Sequence, residues 1–207
     1  MIAVVILAAG RSRRLGFCKA LAPFVPAPPV LHLLRASSPH SDTPPVVVSG
    51  AHHDSIAEYL RSTPGVPQYE LVYNSRFAEG RTGSLACGLR ERPGCDVLIA
   101  PVDVPLVPEL VFRTLVAKWR QAGAPARGWL APSYCAPSGR DLRFGHPILV
   151  GRDLAQRVRS AAPDSELRSM RSVASPLLSV DVDAPEILDD LDTEADFAAI
   201  AGRISRR

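Results

Sequence analysis

Short apolar runs alternate along the chain with segments whose apolar residues recur every three or four positions. The runs predict β-strands over residues 2–7, 46–49, 70–73, 96–100, 129–133, 147–150 and 178–182. Helical spacing lies between them and predicts α-helices over residues 53–62, 83–91, 107–121, 151–160 and 193–204. Strands that alternate with helices are typical of a mostly parallel sheet covered on both faces, so the pattern predicts an α/β fold.

Three stretches interrupt this pattern. Residues 22–29 contain four prolines, each of which removes a backbone donor, so this segment is expected to be a loop. A second loop is expected over 134–145, and 161–176 is rich in serine, alanine and proline without a clear period. Because there is no internal repeat and no dividing linker, the 207 residues are expected to form a single domain, 1–207.

Composition excludes some classes of protein. Hydrophobic residues make up 46% and charged residues 22%, and no apolar run approaches the ~18 residues of a membrane helix. The apolar start, residues 1–9, has no cation before it and several after it, which is the reverse of a signal peptide. We therefore expect a cytoplasmic protein that does not bind a membrane.

The net charge of +3 comes from arginines scattered along the chain, which favours small anionic ligands over nucleic acid. The four cysteines, at positions 18, 87, 95 and 135, show no CxxC pair and no zinc-ligand spacing. Most are expected in or near the core. Cys18 alone falls in a candidate site, where a tolerated spacer is favoured over a reactive thiol.

The first candidate site follows the first predicted strand. Gly10 and Gly16 allow backbone N–H groups to approach phosphate oxygens, and Arg14 and Lys19 could neutralise a triphosphate. Lys19 is one of only two lysines, the other being Lys118. The six-residue glycine spacing fits neither a Walker loop nor a dinucleotide fingerprint. By spacing alone, a flexible and solvated arginine-rich turn explains the segment equally well.

A carboxylate ends the strand predicted over 96–100. Asp103 lies at the carboxyl edge of the sheet, where open α/β sheets bind ligands, and Mg²⁺ prefers carboxylate oxygen together with substrate phosphates. Asp103 is thus the best candidate for a metal ligand. The alternative is a turn-forming residue or a cap of the helix near Pro108.

Weaker signals lie elsewhere. Ser84 opens a second predicted helix after Asn74 and could offer donors to a base or ribose, although an ordinary capped helix explains it as well. His146, between Gly145 and Pro147, is a histidine of the kind that is more often structural. The carboxylates near the C-terminus could form a solvated face with one metal ligand among them; they are Asp181, Asp183, Asp189, Asp190, Asp192, Glu194 and Asp196.

Taken together, the motifs resemble the MobA-like nucleotidyltransferase family, and specifically its molybdenum-cofactor cytidylyltransferase branch, over nearly the whole chain. The family's opening motif is filled at Leu7, Ala8, Ala9, Gly10, Ser12, Arg14, Leu15, Gly16 and Lys19. Further matches are the segments 74–89, 103–105, 145–147 and 190–193.

The resemblance implies a Rossmann-like three-layer α/β/α sandwich of the nucleotide-diphospho-sugar transferase type. It implies transfer of a nucleoside monophosphate from an NTP to a phosphorylated acceptor, with Mg²⁺ as cofactor. Arg14, Lys19 and Asp103 would be catalytic, Asp103 with Asp192 or Asp190 would hold the metal, and His146 would contact the acceptor. The nucleotide would be bound by Leu7, Ala8, Ala9, Gly10, Ser12, Arg14, Lys19, Asn74 and Ser84.

Ala9 favours CTP as the nucleotide. The cytidylyltransferase branch favours the molybdopterin cofactor as the acceptor and a molybdoenzyme apoprotein as a further partner. The expected assembly is a monomer or a weak dimer. Three departures leave the acceptor open to a sugar phosphate or another small phosphate: the proline-rich 23–29, Glu194 in place of proline, and the order Thr82-Gly83-Ser84. A non-catalytic cofactor-binding chaperone is disfavoured because a carrier needs no metal carboxylate opposite a phosphate lysine. An NAD-dependent oxidoreductase is disfavoured by the glycine spacing.

Overall fold

The seven predicted strands and one further strand form one eight-stranded sheet. A computed structural model of the protein describes residues 1–136, 141–165 and 167–204, with the side chain of residue 168 left out. The strands are β1 (Ile2–Ala8), β2 (Val46–Ser49), β3 (Glu70–Tyr73), β4 (Asp96–Pro101), β5 (Trp129–Cys135), β6 (Leu142–Phe144), β7 (Ile148–Val150) and β8 (Leu177–Asp181). All seven predicted strands are confirmed, with ends that differ by at most two residues.

Strand order brings the candidate segments to one edge. The order is β3-β2-β1-β4-β7-β5-β6, and β8 pairs with the other edge of β5. Strands β1 to β4 are mutually parallel, whereas β7 runs antiparallel to β4 and β5. The carboxyl ends of β1 and β4 therefore lie side by side, so the loop after β1 faces the segment that carries Asp103.

Helices cover both faces of the sheet. They are α1 (Pro29–Ser37), α2 (His53–Ser62), α3 (Arg81–Arg90), α4 (Glu109–Gln121), α5 (Arg152–Arg159), α6 (Arg168–Ser172) and α7 (Glu194–Ile204). Alternate residues of β1 enter two cores, Ile6 among the side chains of α1, α2 and α4, and Val5 among those of α3 and α5. The three-layer α/β/α fold is confirmed, and β1 is buried on both faces as a central parallel strand should be.

Two α-helices and one strand of the described residues were not predicted. Helix α1 begins at Pro29, the last residue of the predicted loop 22–29, because proline is tolerated in the first turn of a helix. The loop predicted over 134–145 is wrong at 142–144, which pair with Ser133–Cys135 as β6. Residues 137–140 of that loop and residue 166 of the unassigned 161–176 lie outside the described residues; the latter segment contains the short α6.

An interruption between β6 and β7 brings a histidine to the same edge. Both strands pair with one side of β5, and residues 145–147 separate them. Gly145 N–H donates to Pro132 O and His146 N–H to Ile187 O, each at 3.0 Å. A Cβ at Gly145 would lie 2.1 Å from Ile187 O, so only glycine permits this approach. In the described part of the chain, no helix is long and apolar enough to cross a bilayer.

Candidate active site

A cavity of about 350 Å³ opens at the carboxyl edge of β1 and β4. Residues 7–14 of the loop after β1 form one wall, and Lys19, Ser84, Asp103 and Asp192 contribute to the rest. We call it the loop cavity. All the predicted nucleotide-binding and catalytic residues line it except Asn74, which lies behind the wall, and of the predicted metal ligands Asp190 does not line it.

The loop between β1 and Lys19 is anchored at both ends. Leu15 N–H and Gly16 N–H donate to Ser12 O at 3.1 and 3.2 Å, and Ser12 Oγ accepts from Lys19 N–H at 3.1 Å. Leu15 is fully buried in a small apolar cluster with Phe24, Leu191 and Ile200. The backbone of the arginine-rich turn is therefore held in place, while the side chains of Arg11, Arg13 and Arg14 are exposed.

Two cations of this loop share one carboxylate. Lys19 Nζ contacts Asp192 Oδ1, and Arg14 Nη2 contacts Asp192 Oδ2. The lysine side chain is only 15% exposed, whereas that of Arg14 is 70% exposed. The hydrogen bond from Lys19 is the main reason that the pKa of Asp192 lies below its ordinary value. A triphosphate in the loop cavity would meet both cations.

Asp103 forms an ion pair across the cavity mouth. Its Oδ2 lies 2.5 Å from Arg81 Nη2, and its backbone oxygen accepts from Leu191 N–H at 2.8 Å. That second bond holds β4 to the segment that carries Asp190 and Asp192. Helix α4 has no side-chain cap, so the interpretation of Asp103 as the cap near Pro108 is wrong.

The C-terminal carboxylates divide into two groups. Asp196, inside α7, accepts from the N–H groups of Asp192 and Thr193 just before that helix, while Asp189 pairs with Arg203 and Asp181 accepts from Ser133 Oγ. Asp190 and Asp192 instead lie near Asp103. The pKa of Asp190 is raised, first by burial and then by the negative charges of those two neighbours.

The carboxylates present fit a hard divalent cation. No group of three or more protein ligands surrounds one point in the described residues. Mg²⁺ does not require such a cage, because it is commonly held by one or two carboxylates together with substrate phosphates and water. The all-oxygen donors Asp103, Asp190 and Asp192, which line one cavity together, match that preference.

Asn74 positions the first turn of α3. Its Nδ2 donates to Ser84 Oγ at 3.0 Å, its Oδ1 accepts from Arg76 N–H at 3.0 Å, and Asn74 and Ser84 are both buried. The amide thus joins the end of β3 to the wall of the loop cavity. Its predicted role in nucleotide binding would be exerted through Ser84.

Asn74→Ala is expected to lower the free energy of unfolding by about 1–3 kcal/mol, because it leaves the Arg76 N–H and the buried Ser84 hydroxyl without their partner. Urea unfolding followed by circular dichroism measures the change. Ser75→Ala, at the exposed next position, is the control and should leave stability within about 0.5 kcal/mol. Equal stability of the two variants would contradict the positioning role.

His146 lies on the other side of Asp103. It borders two further cavities, one of about 610 Å³ that we call the side cavity and one of about 310 Å³ that also contains Asp103, Asp190 and Asp192. Burial lowers the pKa of His146, and the nearby Asp103 opposes that shift. Its Nδ1 is buried and has no hydrogen-bond partner among the described residues.

Arg81 was missed by sequence reasoning. It borders the loop cavity, the side cavity and the third cavity between them. One signal was present in the sequence: a cation in the first turn of a helix is electrostatically unfavourable, so Arg81 at the start of α3 calls for a role beyond helix formation.

Most of the cysteines lie in or near the core, as expected. Cys95 is buried, Cys18 and Cys87 are half-buried, and Cys135 is exposed. Burial raises the pKa of Cys18, so less thiolate forms, in keeping with a spacer in the wall of the loop cavity.

One family of known proteins matches most of the chain. The family model for the MobA-like NTP transferase domain matches residues 4–180. Among curated proteins, the bifunctional protein GlmU of Sphingopyxis alaskensis is 28% identical over 180 residues, which are 86% of this chain and 38% of that protein. The chain thus spans well under half the length of this relative.

Solved structures share the fold at low identity. A nucleotidyl transferase from Methanothermobacter superposes with a TM-score of 0.78 at 21% identity, covering 100% of this chain and 98% of its own. Rv0371c of Mycobacterium tuberculosis in complex with manganese gives 0.70 at 19%, covering 97% and 98%. Molybdopterin-guanine dinucleotide biosynthesis protein A of Archaeoglobus fulgidus gives 0.68 at 18%, covering 99% and 100%.

Proposed function

Because the chain belongs to the MobA-like NTP transferase family, we propose that it is a nucleotidyltransferase that moves CMP from CTP to a phosphorylated acceptor, with the molybdopterin cofactor as the favoured acceptor. One observation carries the proposal. Two cations of a fixed loop and two carboxylates of other elements meet at the mouth of one cavity, Arg14 and Lys19 against Asp103 and Asp192. That arrangement suits a triphosphate with a divalent cation.

The cations act on the phosphates. The backbone N–H of Lys19 is bonded to Ser12 and its side chain is mostly buried, so its ammonium already lies at the loop cavity where the triphosphate would bind. Arg14 has an exposed head and adds a planar fork to the same phosphates. In the absence of nucleotide both neutralise Asp192, and a bound triphosphate would replace that carboxylate as their partner.

The carboxylates suit magnesium. Asp103 and Asp192 would hold the ion, with Asp190 as a further oxygen nearby; when bound, the ion would neutralise charge on the phosphates. The backbone of residues 8–10 and the start of α3 at Ser84 would hold the nucleoside, and His146 would face the acceptor.

The reaction needs no covalent enzyme intermediate. A phosphate oxygen of the acceptor attacks the α-phosphorus of CTP in line, a new phosphorus–oxygen bond forms, and the bond to the bridging oxygen of the β-phosphate breaks. Pyrophosphate leaves with that electron pair, and no proton has to move. The protein's contribution is positioning and charge stabilisation.

Pyrophosphate release from a matrix of nucleotides and acceptors tests the proposal. Purified protein with Mg²⁺ is incubated with each of the four NTPs, together with molybdopterin, one of a set of sugar phosphates, or no acceptor. Released pyrophosphate is measured, and the products are identified by mass spectrometry. We expect release that depends on the acceptor and is fastest with CTP and molybdopterin. No release in any combination would overturn the proposal, and release with a sugar phosphate alone would move it to the alternative acceptor.

A further inference from the structure

Arg81 has a fixed backbone and an exposed head. Gly80 before it has φ +144°, and a Cβ there would lie 2.2 Å from Pro163 O. Gly83 N–H donates to Pro163 O at 3.2 Å and Thr82 Oγ1 to Ser165 O at 2.5 Å, so the first turn of α3 is held against residues 163–165. The guanidinium itself is on a side chain that is 60% exposed.

That head lies where the donor and acceptor sides meet. Arg81 borders the loop cavity, where the proposed triphosphate would bind, and the side cavity of about 610 Å³. The side cavity has apolar walls at Trp129 and Phe144 and lies on the same side of Asp103 as His146. An anionic group reaching from the side cavity toward the loop cavity would therefore pass the guanidinium of Arg81.

The present partner of Arg81 is exchangeable. Its contact with Asp103, 2.5 Å from Nη2 to Oδ2, is one exposed ion pair, and such pairs contribute little to stability. An arginine binds a phosphate through two parallel hydrogen bonds, which are stronger than contacts to a screened carboxylate. A divalent cation on Asp103 would also neutralise the charge that holds Arg81 there.

We propose that Arg81 is the residue that binds the phosphate of the acceptor, exchanging Asp103 for it and holding the attacking oxygen beside the loop cavity. The inference rests on the proposed function, since it assigns a residue to the second substrate of that reaction. It predicts that removal of the guanidinium weakens the binding of the acceptor and leaves that of the nucleotide nearly unaffected.

Inorganic phosphate serves as the probe for the acceptor's phosphate. The full-length protein is first saturated with Mg²⁺ and a CTP analogue that has a methylene group between the α- and β-phosphorus atoms, so that the loop cavity is filled and no transfer occurs. Phosphate is then titrated in a calorimeter. We expect Arg81→Met to bind phosphate about 10- to 100-fold more weakly than the wild type, and Arg81→Lys to fall between them. Affinity for the CTP analogue should change less than about threefold.

Arg76→Met is the matched control. Arg76 is an exposed arginine of the same segment, it pairs with Glu79, and its side chain lines none of the three cavities. We expect it to bind both ligands as the wild type does. Unchanged phosphate binding in Arg81→Met, an equal loss in Arg76→Met, or no phosphate binding by the wild type overturns the assignment. If the wild type does not bind the CTP analogue either, the proposed function fails with it.

Discussion

Lys19→Met should reduce kcat/KM for pyrophosphate release by about 100- to 1,000-fold, the usual loss when one pre-positioned charge donor is removed. The side chain of Lys19 is 15% exposed and its backbone is bonded to Ser12, so water is a poor substitute for its ammonium at that position. Initial rates at saturating and at limiting CTP separate the loss in kcat from that in KM.

The other lysine provides the control. Lys118→Met, on α4 and remote from the loop cavity, should change neither rate nor stability appreciably. Lys19→Arg keeps the charge on a longer side chain and should recover part of the activity. A Lys19→Met enzyme with kcat/KM near that of the wild type would contradict the role given to the loop.

Asp103→Ala should abolish turnover to below about one-thousandth of the wild type while the fold stays intact, because a metal ligand supplies several kcal/mol of charge stabilisation in the transition state. The substitution chiefly removes the exposed ion pair with Arg81, so thermal unfolding should shift little. Pyrophosphate release and the dependence of residual activity on Mg²⁺ concentration measure the effect.

This variant also separates an enzyme from a carrier. A non-catalytic chaperone for a molybdoenzyme would keep its affinity for cofactor and apoprotein after Asp103→Ala, and it would release no pyrophosphate before or after the change. Asp54→Asn, at an exposed carboxylate on α2, controls for loss of a negative charge alone. Wild-type turnover in Asp103→Ala would contradict the metal role.

The sequence predicts the parts of the site that lie on single strands or after their ends. Leu7, Lys19 and Asp103 lie at or after the ends of buried parallel strands, and parallel strands place their carboxyl ends on one edge. Strands β1 and β4 stand out in the sequence as continuous apolar runs, because each is buried on both faces. Their convergence on the loop cavity follows from those two facts.

The missed parts depend on contacts distant in sequence. Strand β6 has only three residues, all of them exposed, so no apolar period marks it. Arg81 acquires its position from the contact between Gly80 and Pro163, two residues far apart in the chain, and no local pattern reports such a contact. Helix α1 is a third case, because the prolines before it hide its first turn.

Two of the three departures from the family motif meet in the structure. Phe24, in the proline-rich segment, packs on Phe197 of α7 with ring centroids 4.9 Å apart, and Glu194 begins that same helix. Residues 23–29 and Glu194 do not line the side cavity, as far as the described residues define it. These two departures are thus changes of one packing surface away from the side cavity, whereas Thr82, in the third departure, lines that cavity.

Two different parts of the chain line the loop cavity and the side cavity. The described lining of the loop cavity comes from residues 7–103 and Asp192, and that of the side cavity from residues 129–171 with Arg81 and Thr82. A recombinant exchange of residues 129–171 between family members would therefore transfer nearly the whole lining of the side cavity, the proposed site of the acceptor. The loop cavity of the host would remain, and among the described residues Arg81 would line both cavities. Natural variation confined to residues 129–171 could change the proposed second substrate in the same way.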